Sequence, residues 1–215
     1  MLSLAQLLRV PQVDTGLPYD ISPDGRNVVF SWNKTGEWEI YELEISRKSR
    51  DSASIARHPA EHEAKIISKG EGTKFAPRYS PDGKQIAYAL DLDGSESYHI
   101  VLHDLHTGSQ ANLTLHSVYA HQPNFAFSPD GKTLAILSDE RGQFALHLFS
   151  IETGEKKLLL DIHRPMWDVE WSPDGKWIVV EVEMEASDRG IFIVDVESGI
   201  WDQIEGLNAQ HPAWS

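Results

Sequence analysis

The chain contains no cysteine. That absence removes a disulfide framework, a thiolate nucleophile and a thiolate-ligated zinc site, and it suits a reducing compartment without excluding an exported one. Long hydrophobic runs are missing too, since no stretch approaches the ~20 apolar residues needed to span a bilayer. The amino terminus, Met1-Leu2-Ser3-Leu4-Ala5-Gln6-Leu7-Leu8-Arg9, lacks the basic region and longer apolar core of a secretory signal. A soluble, cytoplasmic chain with no membrane partner is therefore expected. Basic residues are scarce: 19 Lys and Arg stand against 33 Asp and Glu, a formal charge of −14 over 215 residues. No Lys/Arg-rich segment offsets this locally, which argues against a nucleic-acid partner.

What the chain does contain is a repeat. Ser-Pro-Asp-Gly occurs at Ser22 to Gly25, Ser80 to Gly83, Ser128 to Gly131 and Ser172 to Gly175, with successive Ser residues 58, 48 and 44 positions apart. That period is typical of four-stranded propeller blades. His211-Pro212-Ala213-Trp214-Ser215 matches the start of a fifth unit. The expectation is an all-β fold: a partial β-propeller of four-stranded antiparallel blades, four blades plus the first strand of a fifth. The blades fall at about 15–68, 74–115, 122–160 and 166–205, with the fifth starting at 210–215. Between the third and fourth strands of blade 1, residues 46–63 read as an insertion on the outer rim, either disordered or a short helix.

Local chemistry explains the repeat. In each turn Pro presets φ, Asp can cap the turning backbone, and Gly takes the left-handed conformation of a bulged hairpin. Asn33 to Gly36, Asp91 to Gly94, Asp139 to Gly142 and Asp188 to Gly190 supply a second turn, and Thr107-Gly108, Thr153-Gly154 and Ser198-Gly199 a third. The second strands, such as Ile86 to Leu90, Leu134 to Leu137 and Trp177 to Val180, are nearly continuous apolar runs. Both their faces must be covered, as they are when blades stack radially.

An aromatic, then Ser-Pro-Asp-Gly-Lys/Arg, an apolar run and a later Asp-x-x-Thr/Ser-Gly resemble the TolB-type propeller repeat. Trp171 to Trp177 with Asp195 to Gly199, and Phe127 to Lys132 with Ser150 to Gly154, carry the match. The same repeat builds the amino-terminal propeller of prolyl-oligopeptidase-family serine peptidases, of the acylaminoacyl-peptidase type. Leu17 to Arg26, Phe30-Ser31-Trp32, Glu39-Ile40-Tyr41 and the loop from Asp91 to Glu96 are similar to those proteins. The resemblance implies a carboxy-terminal α/β-hydrolase domain bearing Gly-x-Ser-x-Gly, a pentapeptide this sequence does not contain. No catalytic role is therefore carried over, and no cofactor is implied. The implied role is a substrate-size filter and docking face, with peptide substrate reaching the parent enzyme. The alternative is a TolB-like propeller that binds a protein partner. Uncovered faces on the first and fourth blades would also permit a homodimer.

Other constellations read as ordinary structure. Glu181, Glu183 and Glu185 alternate along one strand about 7 Å apart, and a solvated ladder is the expectation over a cation site. Asp91-x-Asp93-Gly94 lacks the third oxygen ligand of a calcium loop and reads as a hairpin turn. Ser172 to Trp177 lacks the residue that a sialidase Asp-box inserts before Gly. His99 and His103 share a strand face with no third ligand nearby, so no metal site is assigned. His121, His163 and His211 each precede or open an inner strand, where a propeller gathers loops at its channel mouth. With Arg78, Arg164 and Trp167 they are the candidate contact residues.

Overall fold

The computed structural model describes residues 19–45, 64–185 and 188–208, together with Val13 and Gly16. The rim insertion 46–63, the start of the fifth unit and His211 lie outside these residues.

The four Ser-Pro-Asp-Gly segments close into near-identical turns. Each Ser Oγ donates to the Asp carboxylate two residues on at 2.6–2.7 Å. The same Oγ accepts the N–H of the residue that opens the next strand, at 2.9–3.0 Å. The Asp oxygen accepts a further N–H two residues downstream at 3.0–3.1 Å. Gly completes the turn at φ 70–71°, a region that only Gly enters without cost. One tetrapeptide thus satisfies the backbone donors of a reversal and aims the chain back antiparallel.

Four sheets of four antiparallel strands result, each in chain order from the inside outwards. Blade 1 holds β1 (Asp20–Ile21), β2 (Asn27–Trp32), β3 (Glu39–Glu44) and β4 (Lys65–Ile66). Blade 2 holds β5 (Thr73–Tyr79), β6 (Gln85–Asp91), β7 (His99–Asp104) and β8 (Gln110–Asn112). β9 (His121–Phe127), β10 (Thr133–Ser138), β11 (Ala145–Ser150) and β12 (Lys156–Leu160) form blade 3. Blade 4 comprises β13 (Met166–Trp171), β14 (Trp177–Glu183), β15 (Arg189–Asp195) and β16 (Trp201–Asn208). There is no helix among the described residues.

The core lies between blades, not within one. Val29 and Ile40 pack on Tyr79, Ile86, Tyr88 and Val101. Ile100 and Leu102 meet Phe125, Leu134 and Ile136. Leu137 and Leu146 meet Val169, Ile178 and Val180. Burial on both faces explains the continuous apolar second strands. The turns stack as well: a Cβ on Gly83 would sit 3.4 Å from Pro23 Cδ, on Gly131 3.4 Å from Pro81 Cδ, and on Gly175 3.6 Å from Pro129 Cδ. Proline of one blade covers glycine of the next.

One turn differs from expectation. The reversal before β15 closes at Glu185 and Asp188, so Arg189 and Gly190 are strand residues. Gly190 is small for packing reasons, because a Cβ there would lie 3.0 Å from Met184 Sδ.

Candidate functional site

The inner strands β5, β9 and β13 all break register at the same level. Ala76 and Pro77 are inserted opposite Tyr88, Gln122 to Asn124 opposite Leu137, and Trp167 between Met166 and Asp168. Pro77 and Pro123 have no N–H to give a ladder, and such residues are tolerated at bulges. Ala76 adopts φ 50°. A bulge re-aims the side chains beyond it, and those side chains form the inner wall.

Two residues before each repeat Ser stand Asp20, Arg78, Ala126 and Glu170. Asp20 ties blade 1 to blade 2: its carboxylate accepts the N–H of Ile21 at 2.8 Å and that of Tyr79 at 2.9 Å. Burial pushes its pKa up, while these N–H groups and the Arg78 charge pull the other way. Glu170 is likewise raised, chiefly by burial, with Asp168 and Asp20 adding to the shift and Arg78 opposing it. Arg78 therefore lies between two carboxylates electrostatically without closing an ion pair within 4 Å to any described residue. Asn124 joins blade 3 to blade 4 by donating from Nδ2 to the Trp167 carbonyl at 2.9 Å. Its Oδ1 is buried and has no hydrogen-bond donor.

Around β13 a second cluster forms. Glu183 Oε2 accepts both Trp167 Nε1–H and Arg189 Nη1–H at 3.0 Å. Arg189 Nε lies 3.4 Å from Glu181 Oε1, and its guanidinium stands 4.8 Å over the Trp167 ring. Glu181 is buried. Glu181 and Glu183 are thus not a solvated ladder, because Arg189, directly across the hairpin from Glu183, compensates them; Glu185 lies beyond β14 and is exposed, as expected. Arg164 donates from Nη1 to the Met184 carbonyl at 2.6 Å.

The candidate contact residues consequently separate. Arg78 and Trp167 stand on the inner wall, Arg164 braces the loop after β14, and His163 is exposed at φ 58° beside Asp161. His121 is only 1% exposed. β9 begins at this residue, which pairs with Ser138, so the imidazole packs inside the blade rather than at the mouth. Its Nδ1 lies 3.2 Å from the Tyr98 carbonyl, its Nε2 has no partner, and burial pushes its pKa down to about 4. Asp20, Asn124, Asp168 and Glu170 were not among the candidates. Aligning the repeats on Ser would have marked Asp20 and Glu170, because they share the position of Arg78. His99 bonds Thr114 and His103 approaches Gln110. Among the described residues no group of three His, Asp or Glu could hold a metal. The loop from Asp91 is a turn in which that carboxylate accepts three backbone N–H groups.

Stacked four-stranded blades, cross-blade side-chain ties and a charged inner wall define a segment of a β-propeller. The TolB beta propeller domain family matches residues 49–215, and the chain belongs to it. It is 35% identical over 139 residues to the uncharacterized peptidase YuxL of Bacillus subtilis, a stretch covering 62% of this chain and 20% of that protein. The chain thus spans a fifth of the length of that curated relative. The structure of a putative TolB from Agrobacterium tumefaciens superposes with a TM-score of 0.70 at 20% identity, covering 89% of this chain and 64% of that one. A prolyl endopeptidase structure superposes at 0.62 with 14% identity, over 94% of this chain and 30% of the other. At such identities the structural likeness speaks for the fold.

Proposed function

We propose that this chain is a non-catalytic propeller segment of a prolyl-oligopeptidase-like serine peptidase, where it restricts substrate size and offers a docking face to a hydrolase domain. The observation that carries this reading is the 35% identity to a peptidase, YuxL. The inner wall suits a filter: Arg78 and Glu170, on bulged strands, and Asp20 on β1 are half-buried along the path a peptide would follow, and cross-blade bonds from Asp20 and Asn124 resist spreading of the blades. A second reading is a TolB-like propeller that binds a protein partner, favoured by the match of residues 49–215 to the TolB beta propeller domain family.

A serine-directed phosphonate discriminates the two when applied to this chain and to the full polypeptide of its gene. Under the first reading the chain alone stays unlabelled and hydrolyses no peptide, since no activated Ser is evident in it. The full polypeptide is labelled and cleaves short peptides in preference to long ones. A full polypeptide that takes up no label supports the TolB-like reading instead.

A further inference from the structure

The outer strands of the four blades are unequal. β4, β8 and β12 have 2, 3 and 5 residues, whereas β16 runs for 8, with Trp201 to Ile204 in continuous register on β15 before a break. Short edge strands, lysines and prolines are the usual protection of a sheet edge against foreign strands. β4 carries Lys65, and β12 opens with Lys156 and Lys157. β16 contains neither lysine nor proline. Its sheet ends at β16, so its outer edge is unpaired among the described residues. Trp201 is 46% exposed and Ile204 37%. The Gln203 N–H donates to the neighbouring Asp202 carboxylate at 2.9 Å, a local cap that an incoming carbonyl could replace.

Alternation along β16 divides what a partner would meet. Trp201 lies opposite Val194 and Gln203 opposite Phe192, while Asp202 and Ile204 lie opposite Ile193 and Ile191 on the other face. A strand added alongside would contact an indole on one side and a carboxylate on the other. A second copy of the same edge would bring Asp202 towards its own kind, on chains that each carry −14. Like charges across a strand pair are destabilising, and opposite charges favourable.

We propose that the outer edge of β16 is a docking site for an extended peptide segment of a partner protein, one that alternates apolar and basic residues and adds to blade 4 as a fifth strand. Main-chain hydrogen bonds would supply affinity, with Trp201 and Asp202 selecting the alternation.

The test uses the 215-residue chain and three capped octapeptides: one alternating Val and Lys, its Val–Glu counterpart, and a Val–Lys version with a central Pro. Amide chemical shifts and hydrogen exchange are followed across the protein. The proposal expects the Val–Lys peptide alone to bind and to slow exchange within Trp201–Asn208. Asp202→Lys, a surface change, should weaken that peptide about tenfold and admit the Val–Glu peptide. Equal binding of the Pro-containing peptide would reduce the effect to charge attraction and overturn the proposal. Absence of protection in β16, or protection centred elsewhere, would overturn it as well.

Discussion

Single residues set the repeat through chemistry confined to a few atoms. At Gly131 two requirements coincide: φ of 71°, and Pro81 Cδ at 3.4 Å from where a Cβ would go. Gly131→Val should lower stability by about 1–3 kcal/mol through backbone strain, read as a shift of the urea midpoint; an unmoved midpoint would contradict the turn geometry. Another residue-scale feature is Lys74, 1% exposed, with Nζ 3.0 Å from Glu39 Oε1 and 2.5 Å from the Gly70 carbonyl. Ser68 donates to the other Glu39 oxygen. This ion pair joins β5 to β3 across a blade boundary. Lys74→Met leaves a largely buried carboxylate with Ser68 but without its counter-charge and should cost about 2–4 kcal/mol, somewhat less than breaking a fully buried pair. Pairing it with Glu39→Gln should recover much of that loss in a double-mutant cycle, and strictly additive losses would show that the two side chains do not act as a pair.

At the scale of elements, turns and second strands were legible because their causes are local or nearly so. The inner-strand bulges were not. They depend on register against a partner strand, and Pro77 or Pro123 alone does not reveal which neighbour is pushed out. The same limit explains Glu183 and Arg189, six positions apart in sequence yet directly opposite once the hairpin closes. His121 was expected at the channel mouth because it stands in the segment entering an inner strand, but β9 starts there and the ring is buried. Its surroundings are cationic: Lys156, His99 and His147 all oppose its protonation, while Glu140 is engaged by His147 and Lys156. With a pKa near 4 in the fold and about 6.5 when unfolded, the imidazole favours unfolding as pH drops. The stability it permits is complete above about 6.5 and is lost on acidification towards 4, reaching on the order of 1–2 kcal/mol at pH 5. Asp20 and Glu170, both raised, act in the opposite sense as acid is added, and Asp82, lowered to about 2, matters only in stronger acid. His121→Asn keeps a donor near the Nδ1 position for the Tyr98 carbonyl and should flatten the decline in melting temperature between pH 7 and pH 5. An unchanged slope would remove His121 as its source.

For the whole molecule, the decisive fact is that every apolar cluster is shared by two consecutive blades. The packed strand pairs among the described residues join blade 1 to 2, 2 to 3 and 3 to 4. Stability in such an array is a sum of unit and nearest-neighbour terms, so damage should remain near the boundary where it is made. Ile136, 1% exposed, packs among Ile100, Leu102 and Phe125 at the junction of blades 2 and 3. Ile136→Ala should cost about 2–5 kcal/mol by opening a cavity there. Native-state hydrogen exchange should then accelerate in β6, β7, β9 and β10 well before β14 and β15 respond. Val180→Ala, in the cluster between blades 3 and 4, should produce the reverse order. The comparison is sensitive because the ties across the inner wall work against it: Asp20 to Tyr79 and Asn124 to Trp167 bind neighbouring blades at their innermost edge. If both substitutions accelerated exchange uniformly through all four sheets, those inner-wall ties would be strong enough to make the segment one cooperative unit, and the nearest-neighbour description would fail.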